Sequence, residues 1–162
     1  LDPQHPQAAC RLGVLGLAFL GLGLAAPTAA QDEGPIIVAY KIVDFAIPEP
    51  LTEVPGDVER GWTIVQNAAN ATCLICHSMP MPWQPDHGNL APDLAGVGSR
   101  YNAAELRLRL VDPKVLNPFT IMPAYYQTQG LTRVQEKYVG KTVYSAQDIE
   151  DVIAYLLTLT EE

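Results

Sequence analysis

Cys73-Leu74-Ile75-Cys76-His77 is the stretch whose reading decides the fold. The C-x-x-C-H spacing reads as a c-type haem attachment site. On one helical turn, residues three and four apart share a face, so Cys73, Cys76 and His77 project to the same side. Two thiols there can add to the two vinyl groups of a haem, and the imidazole can reach the iron. The competing uses of a C-x-x-C pair fit less well. A zinc site wants two more Cys or His ligands at close spacing, and the only other cysteine is Cys10, far upstream. A thioredoxin-like pair wants a βαβ setting, which the surrounding sequence does not provide. The expected cofactor is one covalently bound haem c, with His77 as an iron ligand.

Upstream of this stretch, residues 1–30 read as a signal peptide. Arg11 gives a positive start, Leu12 to Ala26 is a run of 15 apolar or glycine residues, and Pro27-Thr28-Ala29-Ala30 supplies small residues for cleavage before Gln31. A membrane anchor is the alternative, but a spanning helix needs about 20 apolar residues. The expectation is therefore export to the periplasm with no stable membrane span. Cleavage would remove Asp2 and Arg11 and leave the net charge of the whole chain, −8, unchanged. That charge speaks against nucleic acid or an anionic membrane surface as a partner. The mature chain would keep Cys73 and Cys76 alone, in an oxidising compartment where a disulfide is the other way to use both thiols.

Residues 31–54 read as an extended arm. Ile36 to Val43 is β-branched and partly alternating, so a short strand is also open, and Pro48, Pro50 and Pro55 then break the chain. The arm is too apolar to stay solvated and should pack on its own body or on a partner. Residues 55–162 read as the haem domain. A helix is expected from Asp57 to about Ala69, with Val58, Trp62 and Val65 as its apolar stripe and Gly61 marking a close helix approach. Asn102 with Glu105 resembles a capping box for a helix ending before Pro113. Ser145 with Asp148 starts a last helix striped by Ile149, Val152, Ile153, Leu156 and Leu157. The segment 124–144 is rich in tyrosine and follows the Met122 loop, which makes it a candidate partner surface, with packing of its tyrosines on the domain's own core as the alternative.

Four residues compete for the second axial position on the iron: Met79, Met81, Met122 and His87. The ligand must lie on the opposite haem face. Met79 and Met81 follow His77 by only two and four residues, and at about 3.3–3.6 Å per residue they barely clear the porphyrin edge. Met122 lies 122 − 77 = 45 residues on, in an Ile-Met-Pro setting with a stiff backbone. Met122 is the expected ligand, with His87 as runner-up. His/Met ligation raises the reduction potential and leaves no open iron position, which favours electron transfer over chemistry on the iron.

The order of helix, C-x-x-C-H, Pro-Asp-Leu loop, helix, Met-Pro and terminal helix resembles class I cytochrome c. That resemblance implies an all-α fold, here with an N-terminal extended arm. It implies a crossing of first and last helices with Gly61 against Tyr155, and a Pro92 carbonyl that orients His77. Longer strings resemble the SoxX family of sulfur-oxidising bacteria. They are Pro92-Asp93-Leu94 through Gly98-Ser99-Arg100-Tyr101, Leu106 to Pro113, Thr120-Ile121-Met122-Pro123-Ala124-Tyr125-Tyr126 and Gln147 to Val152. This second resemblance spans roughly residues 55–160 and implies a partner, a SoxA-like haem subunit. It also implies a downstream electron acceptor, and a complex that oxidatively joins thiosulfate to a carrier-protein cysteine (an L-cysteine S-thiosulfotransferase). In that complex this chain would carry no catalytic residue of its own. A free-standing cytochrome c shuttle, or a secreted protein whose two cysteines bind metal or cycle as a disulfide, are the alternatives.

Overall fold

Asp57 opens the first helix, α1 (Val58–Val65), by accepting the Arg60 amide hydrogen bond with its side chain. This is the end-capping role that a short carboxylate performs well. A computed structural model describes residues 37–67, 69 and 73–160. The segment read as a signal peptide and the first residues of the arm lie outside the described residues. The remaining helices are α2 (Val97–Arg100), α3 (Ala103–Val111) and α4 (Ala146–Leu156), with short 3-10 turns at Cys73–Ile75, Pro113–Val115 and Glu136–Tyr138. Among the described residues there is no strand, only one isolated bridge between Val43 and Ala46. No described helix is long and apolar enough to cross a membrane.

The helix α1 is shorter than its sequence pattern predicts, and of its expected stripe only Val65 is buried. Gly61 and Val65 are buried, whereas Val58 and Trp62 are 43% and 38% exposed. The reason is the crossing with α4. A Cβ at Gly61 would sit 2.0 Å from the Asp151 carbonyl oxygen and 2.9 Å from the Tyr155 Cβ, so the two backbones touch at this point. Trp62, about 100° further round the helix, is turned off that face and meets Trp83 instead, with ring centroids 6.4 Å apart.

Both expected capping boxes form, at Asn102/Glu105 and at Ser145/Asp148. The α4 stripe of Ile149, Val152, Ile153 and Leu156 is buried as its period requires. Two acidic residues, Glu150 and Asp151, are buried with it. Glu150 takes a bidentate pair from Arg107 of α3, at 2.7 and 2.8 Å. Burial raises the pKa of Asp151, but hydrogen bonds from Arg60, Gln147 and the Asp57 amide outweigh it and hold the carboxyl below its ordinary value.

The later part of the arm packs on the body of the same chain, whereas Ile37, Val38, Ile42 and Val43 of its apolar run are exposed on that body. Ile47 and Leu51 are buried in the core. The Ile47 amide donates to Ala104 O at 3.0 Å, the Ile47 carbonyl accepts from Arg107 at 2.7 Å, and the Leu51 amide donates to Glu150 at 2.9 Å. Ahead of these anchors the chain reverses in a tight turn in which Val43 and Ala46 exchange two backbone hydrogen bonds of 2.9 Å. Asp44 and Phe45 take left-handed φ values of 49° and 60° there. Such a conformation for a bulky residue costs on the order of 1–3 kcal/mol and persists only when its surroundings hold it. The tyrosine-rich segment departs from expectation. Tyr125, Tyr126 and Tyr144 are all in the core, with Tyr125 and Tyr144 stacked at 4.7 Å, so they are not a partner surface.

Because the α1–α4 contact leaves no room for a side chain, Gly61→Ala should destabilise the protein by roughly 2 kcal/mol or more, through overpacking against backbone. Denaturant unfolding followed by circular dichroism measures this, and an unchanged midpoint would show that the helices do not cross as described.

Candidate haem site

The site is built from the turn that follows α1. Cys73–Ile75 forms a 3-10 turn, and the Cys76 and His77 amides both donate to the Cys73 carbonyl, at 3.1 and 2.9 Å. This short coil keeps Cys73, Cys76 and His77 on one small piece of backbone. Cys73 is buried, Cys76 is half-buried, and neither is in a disulfide.

The loop carrying Pro92 is bound to this turn on both sides. Ala91 N donates to Cys76 O at 2.9 Å and Leu94 N donates to Ser78 O at 3.0 Å. Between these two bonds the Pro92 carbonyl comes within 2.6 Å of His77 Nδ1. A carbonyl can only accept, so Nδ1 carries the proton. The other ring nitrogen, Nε2, is then the one with a lone pair for a metal. Arg100, from α2, clamps the same loop by donating to Ala95 O at 2.6 Å and to Asp93 O at 2.9 Å. The amide of Ala95, then the Ser78 hydroxyl, hold the Asp93 carboxyl below its usual range, so it stays ionised at the loop's tip.

Two adjoining cavities open beside the turn. One of about 270 Å³ is lined by Cys73, His77 and Pro92 together with α3 residues and Met122. The second, of about 210 Å³, reaches Cys76, Leu90 and Ile121. Cys73, His77, Pro92, Thr120, Met122 and Tyr125 line both. The structure thus brings together all five residues expected to hold the cofactor: Cys73, Cys76, His77, Pro92 and Met122. It leaves the other candidates elsewhere. Met79 and Met81 are buried core residues that line neither cavity. His87 also lines neither. Its Nδ1 accepts the Met79 amide at 3.1 Å, and its Nε2 is buried with no hydrogen-bond partner.

The residues present fit a haem. The walls are mostly apolar, as a porphyrin ring requires. Arg109, whose guanidinium lies 3.7 Å over the Tyr101 ring, and Arg100 add cationic groups suited to two propionates. The alternatives fit poorly. Among the described residues no three His, Cys, Asp or Glu side chains gather as a metal set. Burial pushes the Cys73 thiol up to about 12, the reverse of what a reactive redox or nucleophilic cysteine needs. Sequence reading missed Arg109 and Tyr101 as lining residues and Arg100 as the loop clamp. Their signal lay in the strings around Gly98–Tyr101 and Leu106–Pro113, which carried resemblance but no assigned role.

Comparison with known proteins agrees with this geometry. The family model described as Cytochrome c matches residues 58–160. No curated protein matches the chain. Among solved structures, a chain of the crystal structure of SoxXA from P. pantotrophus is similar at 36% identity with a TM-score of 0.67. The match covers 75% of this chain and 95% of that one. The chain therefore belongs to the cytochrome c family, has the class I cytochrome c fold, binds haem c covalently and serves in electron transfer.

Proposed function

We propose that this chain is an exported, monohaem, SoxX-type cytochrome that accepts electrons from a SoxA-like haem subunit. The complex the two would form oxidatively joins thiosulfate to a carrier-protein cysteine, and this subunit passes the electrons to a downstream acceptor. The observation that carries the reading is the likeness to a SoxXA chain at 36% identity over 95% of that chain's length. Its working compartment is the periplasm, reached by cleavage after Ala30, in line with the apolar run and small residues ahead of Gln31.

Within this reading Cys73 and Cys76 would tether the haem, His77 would hold its iron through Nε2 with its ring fixed by Pro92, and Met122 would be the second iron ligand. Met122 is supported by its place with His77 in the lining of both cavities. When bound, the haem supplies a one-electron couple. His77 and Met122 would leave no open iron position, and the apolar walls would exclude water, an arrangement that favours a high potential. Partner contact is supported at the Met122 loop by Phe119 and Ile121, which are 92% and 75% exposed beside it. Large apolar side chains left bare in one place mark interaction surfaces.

Three outcomes are expected of the purified protein. Its intact mass should be that of residues 31–162 plus one haem; retention of residues 1–30 would remove the periplasmic assignment. Changing Cys73→Ala together with Cys76→Ala should abolish acid-resistant haem attachment, and haem still fixed to that variant would exclude the two thiols as its tethers. Met122→Ala should remove the weak long-wavelength sulfur-to-iron band of the ferric protein and lower its potential, while Met79→Ala should do neither.

A further inference from the structure

We propose that the N-terminal arm is a positioning strap for the loop that carries Met122, and that Tyr126 and Gln127 are the points where it is fastened. The inference rests on Met122 being the distal ligand. The loop is short of regular structure: Met122 N donates to Thr120 Oγ1 at 3.2 Å and Thr120 N to Asn117 O at 3.0 Å. The Lys114 ammonium also donates to Thr120 O at 3.3 Å, and main-chain bonds to other elements begin after Pro123. There Tyr125 N donates to Leu110 O of α3 at 3.0 Å, and the Tyr125 carbonyl accepts from Val143 and Tyr144 at 2.9 and 3.0 Å.

The arm closes the remaining side. The Val38 amide donates to the Tyr126 hydroxyl at 3.0 Å, and the Gln127 side chain bonds the Tyr40 hydroxyl. These bonds join residues nearly ninety positions apart in sequence to a stretch only four and five residues past Met122. The far end of the arm is pinned independently, by Ile47 and Leu51 on the buried Arg107–Glu150 pair. A strap needs two fixed ends, and the strained Asp44-Phe45 turn between them is held because both ends are fixed. The arm thus connects α3 and α4 to the ligand loop from outside the haem domain, without itself lining either cavity. Its expected effect is on how readily the Met122 thioether leaves the iron, not on whether haem is attached.

Imidazole competes with a methionine thioether for the same iron position, so its binding reads the loop's hold directly. The full holoprotein should be compared with Tyr126→Phe, Tyr40→Phe and Gln127→Ala. Covalent haem content and helical circular dichroism confirm that each variant is folded. Each change should tighten imidazole binding, followed by loss of the long-wavelength ferric band, by roughly two- to tenfold per hydrogen bond removed. Val54→Ser, on the exposed arm past the anchors, should leave it unchanged. If Met122→Ala abolishes the band but the three fastening variants bind imidazole as the wild type does, the strap is wrong and the ligand assignment stands. If the band survives Met122→Ala, the ligand assignment falls and the strap falls with it.

Discussion

The contact between the α1 and α4 backbones at Gly61 is the constraint on which the rest of the structure depends. With no side chain between them, the helices meet where a Cβ would lie 2.0 Å from the Asp151 carbonyl. The Asp151 side chain then reinforces the crossing, accepting from the Asp57 amide at 2.8 Å and from Arg60 at 2.7 and 3.0 Å. Since the Cys73 turn follows α1 in the chain, fixing α1 on α4 helps to place Cys73, Cys76 and His77 against the body of the domain. Local propensity opposes a glycine inside a helix by about 1 kcal/mol. The residue is tolerated because the tertiary contact needs it.

A second constraint joins the outer parts to this crossing. Arg107 and Glu150 form a buried bidentate pair whose remaining hydrogen-bonding capacity is used by the arm, at Ile47 and Leu51. A buried ion pair adds little net stability relative to a well-packed apolar pair, but breaking one partner away leaves an uncompensated charge at a cost of about 3–5 kcal/mol. Its consequence here is geometric. It fixes α3 to α4 and gives the arm a specific seat on both. The same α3 supplies Leu106, Arg109 and Leu110 to the cavity wall. The arm, the wall and the helix crossing are thereby one connected framework around His77 and Met122.

The elements around the candidate site were legible in the sequence where their signals are local. The C-x-x-C-H spacing, the two capping boxes and the α4 period depend on neighbours in the chain, and the reach from His77 to Met122 follows from chain geometry alone. What the sequence could not reveal depends on contacts between distant segments. The buried face of α1 is set by α4, so the stripe through Trp62 was misleading. Tyr125, Tyr126 and Tyr144 read equally well as surface or core, and only the packing of the 124–144 segment decides for the core. Nothing local in the sequence marks Glu150 and Asp151 as buried, yet each is buried against an arginine from another helix. The arm's apolar run drew attention to Ile36–Val43, whereas its core anchors are Ile47 and Leu51, beside the prolines read as breaks.

Reduction of this haem in the presence and absence of the SoxA-like subunit tests the proposed role most directly. The mixture contains the ferric protein, thiosulfate and the carrier protein, and the haem absorption is followed in time. Reduction should occur only when the SoxA-like subunit is present, and the two chains should elute together as a 1:1 complex in moderate salt. Reduction at the same rate without that subunit, with this chain eluting alone, would contradict the subunit role and make the protein a free-standing cytochrome c.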